Sequence, residues 1–146
     1  MFKKIKRIKK NKEKTWVVYS DKIGDNPAII RVDSSYTYEN FIDTLSVNIR
    51  YDSTNDDKLP DMEQKSFIYE IENIILNKIK SDNLNIYFLG TASFNSATYL
   101  IFVTNEYIDW KSFIERLIPS SRIESEIYSE DNMGYYNSVL YPKSNR

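Results

Sequence analysis

The sequence predicts an α+β domain of ferredoxin-like type, a βαββαβ antiparallel sheet with an N-terminal β-hairpin and a short C-terminal helix. Three observations carry this. Apolar residues alternate with period two in several short runs, most cleanly in LSVNIRY (45–51). They recur at spacings of three and four in two longer runs. After the hairpin, the runs follow one another as strand, helix, strand, strand, helix, strand.

The hairpin is TWVVYS (15–20) and AIIRVD (28–33), with the breakers Gly24 and Asn26-Pro27 between them. In the strand 45–51, Leu45, Val47, Ile49 and Tyr51 share one side, and Ser46, Asn48 and Arg50 the other. A polar loop (52–60) leads to Asp61, which caps a helix with Gln64 three residues on as a capping box. That helix runs to about Lys80, with Phe67, Ile68, Ile71, Ile74, Ile75 and Ile79 as its stripe. Strands at 84–90 and 97–103 are joined through TASFNS. Trp110, Phe113, Ile114, Leu117 and Ile118 make one face of a second helix, which Pro119 stops. RIESEIY (122–128) is the last strand, with Ile123 and Ile127 opposite Glu124 and Glu126.

The strand at 97–103 is apolar on both sides, Tyr99, Ile101 and Val103 against Leu100 and Phe102. Both helices are expected on one face of a four-stranded layer. A terminal helix carrying Met133, Tyr136, Val139 and Leu140 is expected to lie on the other and cover Leu100 and Phe102.

The chain of 146 residues is one domain by size, read as a basic arm (1–14) and a body (15–146). It contains no histidine and no cysteine. Triads, histidine proton shuttles, thiolate nucleophiles and zinc–cysteine sites are therefore excluded. No apolar run approaches the roughly 18 residues of a membrane span, and TWVVYS is too short for the core of a signal peptide. The expected location is the cytoplasm.

Charge is unevenly divided. Residues 1–14 hold eight Lys/Arg and one Glu, a balance of +7, and residues 15–146 hold 12 positive and 20 negative charges, a balance of −8. In the arm, Phe2, Ile5 and Ile8 recur at spacing three. Such an arm suits nucleic acid or an anionic membrane, but the plainer reading is a flexible, solvated tail that aids solubility or leans on the chain's own acidic body, since like-charge runs are usually disordered.

Constellations that suggest chemistry have plainer readings. Asp52, Asp56, Asp57 and Asp61 crowd one loop, but their spacing fits no EF-hand, and a solvated loop with one helix cap accounts for them. Glu130 and Asp131 suit the N-terminus of the last helix as well as acid–base work. LGTASFNSA lacks the lysine and second glycine of a phosphate loop. No cofactor and no metal site is expected.

Four stretches resemble one family. They are WVVYSDKIGDNPAIIRVD, IRYDSTNDDKLPDMEQKSFIYEIENII, YFLGTASFNSATYLIFV and EDNMGYYNSVLYP. Together they are similar to the uncharacterised bacterial family known as domain of unknown function 695. Tyr136, Leu140, Tyr141 and Pro142 match its closing motif, and Met133 stands where that motif has Trp. The resemblance implies no activity. Some relatives join this domain to one similar to a regulator that inhibits ribonuclease E, which implies regulation by protein binding as a loose association.

The reading that follows is a non-enzymatic domain that binds another protein. Its candidate interaction surface is Tyr87, Tyr128, Tyr135, Tyr141, Glu124 and Glu126, because tyrosine offers rigid contact area with a polar tip and the body is acidic. One alternative is an RNA-binding module using the arm, with Tyr87 and Phe102 stacking bases, although an acidic body repels phosphates. The other is a carboxylate-based enzyme using Asp52, Asp61 or Asp131.

Overall fold

A computed structural model describes residues 14–36, 42–131 and 134–141. The chain folds as an α+β unit around one six-stranded antiparallel sheet. Its strands are β1 (Trp16–Ile23), β2 (Asn26–Asp33), β3 (Asp43–Arg50), β4 (Ile86–Phe94), β5 (Ala97–Thr104) and β6 (Ile123–Tyr128). Their spatial order is β1-β2-β4-β5-β3-β6. The four-stranded ferredoxin-like layer expected from the sequence is therefore not what forms. The N-terminal hairpin continues the sheet, because β2 pairs with β4 from Ala28–Phe94 to Val32–Gly90.

Both hairpins turn more tightly than the sequence suggests. Trp16 to Ile23 pairs with Asp33 to Asn26, which leaves only Gly24 and Asp25 as the turn. Between β4 and β5 the turn is Asn95-Ser96, both with positive φ (50° and 62°), as a two-residue hairpin requires. Gly90 has φ 154° and lies so close to β2 that a Cβ there would sit 2.0 Å from the Arg31 carbonyl oxygen. A register shift between Phe88 and Gly90 interrupts the alternation, so Leu89 and Ala92 face the same side.

The connection from β3 to β4 is α1 (Met62–Ser81), and that from β5 to β6 contains α2 (Trp110–Leu117). The capping box forms as predicted: the Gln64 backbone N–H donates to Asp61 Oδ1 and the Asp61 N–H to Gln64 Oε1, both at 2.9 Å. Both helices pack on one face. Ile68, Ile71, Ile75 and Ile79 of α1 and Trp110 and Ile114 of α2 meet Leu45, Val47, Ile49, Phe88, Leu100 and Phe102. Each such buried side chain contributes at most about 1.5–3 kcal/mol. Trp110 is fully buried, and its indole N–H donates to the Ser46 carbonyl at 2.9 Å.

The opposite face carries a second core of Ile30, Val32, Tyr36, Tyr87, Leu89, Ile101 and Val103, with Tyr136 and Leu140 laid across it. The terminal segment Tyr136–Leu140 is wound as a π-helix. It does close a face of the sheet, but over Ile101 and Val103. The expectation that it covers Leu100 and Phe102 is corrected, because those two lie under α1 and α2. Met133 lies outside the described residues. Among the described residues, no helix is long and apolar enough to cross a membrane.

Candidate functional site

The face without long helices falls into two halves. Over β2, β4 and β5 it is closed by the terminal segment. Over β3 and β6 it presents Asn48, Glu124, Glu126 and Tyr128, with Tyr99 of β5 and Tyr135 beside them.

The closed half is organised around Asp33, the last residue of β2, which is fully buried. Its Oδ1 accepts from the Ser35 hydroxyl at 2.6 Å, the Ser35 N–H at 3.1 Å and the Thr15 N–H at 3.2 Å. Its Oδ2 accepts from the Tyr87 hydroxyl. Burial alone would raise the Asp33 pKa, but the bonds from Ser35, Tyr87 and Thr15 outweigh it and hold the carboxyl below its ordinary value of 3.8. The Asp33 carbonyl accepts from the Tyr136 hydroxyl at 2.9 Å. Tyr36 packs between Tyr87 and Tyr136, with ring centroids at 5.0 and 5.3 Å. Burial raises the pKa of Tyr87, and the bond to the Asp33 carboxylate raises it further; burial also raises that of Tyr136. The Tyr19 hydroxyl donates to the Leu140 carbonyl, and the Tyr141 N–H to the Tyr136 carbonyl at 2.8 Å. A carboxylate whose two oxygens already hold four donors is suited to fastening segments together.

Beside this cluster Lys14 enters the fold. Its ammonium donates to the Phe88 carbonyl at 2.6 Å and lies 4.1 Å from the Tyr87 ring centroid. Arg31 reaches the helix side of the sheet, where it pairs with the buried Glu72 of α1 at 2.6 Å and lies 4.8 Å over the Trp16 ring.

In the open half, the rings of Tyr128 and Tyr135 meet at 5.7 Å. The Asn48 amide donates to Glu126 at 3.0 Å, and Glu124 pairs with Arg50 at 2.8 Å across an exposed edge. The buried Asn48 Oδ1 has no hydrogen-bond partner among the described residues. Asp131 fastens the segment that delivers Tyr135. Its Oδ2 accepts from the Thr44 hydroxyl and from the Tyr135 N–H, both at 2.7 Å. Burial raises the pKa of both tyrosines, helped by Glu126 at Tyr128 and by Tyr128 at Tyr135.

Of the six residues expected at an interaction surface, Tyr128, Tyr135, Glu124 and Glu126 come together in the open half. Tyr141 is half-buried against Tyr136 at 5.6 Å, on the closed side. Tyr87 is corrected: it is only 4% exposed, its hydroxyl is spent on Asp33, and it presents no surface. Phe102, the other ring expected to stack a base, is fully buried under the helices.

The acids considered for catalysis are dispersed. The Asp52 side chain is 99% exposed and lies 3.7 Å from Arg122, Asp61 caps α1, and Asp131 holds Thr44 and Tyr135. In the acidic loop, Asp57 accepts from the Leu59 N–H. Among the described residues, no group of three or more acidic side chains could hold a metal ion. Asp33, Tyr36, Asn48 and Tyr99 were missed from the sequence. Asp33 closes a strand and reads as turn chemistry, and its partner Tyr87 lies 54 residues away.

A model describing a family of unknown function, DUF695, matches residues 14–141. The chain belongs to DUF695. The match opens at Lys14 and closes at Tyr141, so the DUF695 region contains both halves of the face and the terminal segment that divides them. No curated protein and no solved structure matches the chain.

Proposed function

We propose that this DUF695 domain acts by binding another protein through the open half of its face, with no catalytic step of its own. The observation that carries this reading is the pairing of Tyr128 with Tyr135 beside Glu124 and Glu126, on a face of the sheet that no long helix covers. Paired tyrosines supply contact area at low entropic cost, and flanking carboxylates select a basic partner and speed its approach. Its site lies on a rigid sheet, since β3 is bonded on both sides, by β5 and β6. We further read β4, β5, β3 and β6 as a ferredoxin-like unit to which the hairpin has been added; the helices spanning β3 to β4 and β5 to β6 support this.

The test is site-specific photo-crosslinking in host cells. A photoreactive phenylalanine replaces Tyr135 in one protein and Tyr69, an exposed tyrosine on α1, in another. The reading expects a discrete crosslinked protein from position 135, lost when Glu124 and Glu126 are both changed to Lys. Crosslinks from position 69 alone, or crosslinks to RNA from position 135, would overturn it.

A further inference from the structure

A second surface, away from the open half, has a more specific occupant. At the end of the sheet where β3 begins and β5 ends, a cleft of about 440 Å³ lies beneath the chain leading to α2. Its lining is mixed, and its apolar walls are poorly covered: Ile42 is 53% exposed, Tyr107 90% and Ile127 43%. Asp43, Glu106 and Glu130 also line it, and among the described residues no basic one does. Exposed apolar side chains inside an acidic ring are the complement of a basic segment with a few apolar anchors.

The chain carries such a segment. Residues 1–13, outside the described residues, hold seven Lys/Arg against one Glu, and Phe2, Ile5 and Ile8 recur at spacing three among them. The point from which this segment departs is fixed, because Lys14 is fastened to the Phe88 carbonyl and the Tyr87 ring. That point lies at the same end of the sheet as the cleft. Phe88 pairs with Phe102, and Thr104, two residues on, pairs with both Ile86 and Asp43. The separation is on the order of 10–15 Å, from strand spacing and rise. Thirteen residues span about 43 Å extended and about 20 Å as a helix, so either form reaches.

We propose that the N-terminal basic segment docks into this cleft of its own chain, with Phe2, Ile5 and Ile8 against Ile42, Tyr107 and Ile127 and its lysines facing Asp43, Glu106 and Glu130. The docked segment neutralises part of the acidic body. It also occupies a surface separate from the one used in the proposed function, so either idea can fail alone.

The absence of cysteine allows a clean test on the full chain. A nitroxide is attached to Lys3→Cys, and amide signals are recorded by NMR. The proposal expects signal loss at Asp43, Glu106 to Ile108 and Ile127 to Glu130, reversed at about 1 M salt, where screening acts within about 3 Å. Glu106→Lys with Glu130→Lys should restore the signals, as should Ile5→Ser with Ile8→Ser, which leaves the body untouched. Unaffected signals at the cleft, or loss confined to Glu124, Glu126 and Tyr135, would overturn it. Signal loss in an isotope-labelled copy lacking the nitroxide, mixed with nitroxide-bearing protein of natural isotope abundance, would also overturn it, by placing the segment on a second molecule.

Discussion

The closed and open halves of the face without long helices belong to one sheet, yet they are finished in opposite ways. Over β2, β4 and β5 the outward side chains are Ile30, Val32, Leu89, Ile101 and Val103, and they require a cover. Over β3 and β6 they are Asn48, Glu124, Glu126 and Tyr128, which hydrogen-bond, pair or remain hydrated. The terminal segment crosses between them. Tyr136 and Leu140 go down into the closed half, while the neighbouring Tyr135, half-buried at the rim of that core, turns its ring to Tyr128 at the open one. One short segment thus completes a core and furnishes one ring of a half-buried aromatic pair, so stability and binding should separate residue by residue.

The largest effect is expected at Leu140, which is fully buried. Leu140→Ala should lower unfolding free energy by about 2–5 kcal/mol in urea titrations, because the cavity left between sheet and segment collapses only in part. A loss below about 1 kcal/mol would mean the cover is not part of the core.

Asp33→Asn comes next, with an expected loss at neutral pH of about 1–3 kcal/mol, because an amide cannot accept from all of Ser35, Tyr87 and Thr15. The pH dependence sharpens this. The folded pKa of Asp33 lies below its ordinary 3.8, so its contribution is whole above that value and is lost as pH falls through the folded pKa. The gap in stability between Asp33→Asn and the parent should therefore be constant near neutrality and narrow below about pH 4. A gap that widens on acidification would contradict the assigned network.

The smallest effect on stability belongs to the open half. Tyr128→Ala should cost about 1 kcal/mol or less, since the ring is half-buried and exchanges protein contacts for water on one side only. It should nevertheless remove crosslinking from position 135. Full crosslinking in the variant would separate the tyrosine pair from binding.

Local patterning made much of this architecture readable. The alternation of Leu45 to Tyr51, the Asp61–Gln64 box and the spacing of Trp110, Ile114 and Leu117 each name an element, because each signal is contained within a few neighbouring residues. What alternation leaves open is which side the helices occupy. Leu100 and Phe102 read the same as Ile101 and Val103 until a crossover lands on one pair. The joining of the hairpin to β4 was hidden for a similar reason: the contact of Ala28 with Phe94 spans 66 positions and has no local signature. The site divides in the same way. Tyr128, Glu124 and Glu126 share a strand, so their common face is visible in spacing alone. Tyr87 looked equally available, and only the position of Asp33 across the sheet shows that its hydroxyl is used inside.

The division of the face is tested most directly at two adjacent residues. Tyr135→Ala and Tyr136→Ala remove the same ring from consecutive positions of one segment, and urea unfolding at neutral pH reads both. Tyr136 is 2% exposed and bonded to Asp33, so its loss should cost about 3–5 kcal/mol, against about 1 kcal/mol at Tyr135. Equal losses at the two positions, or the larger loss at Tyr135, would contradict a terminal segment that seals one half and leaves the other open.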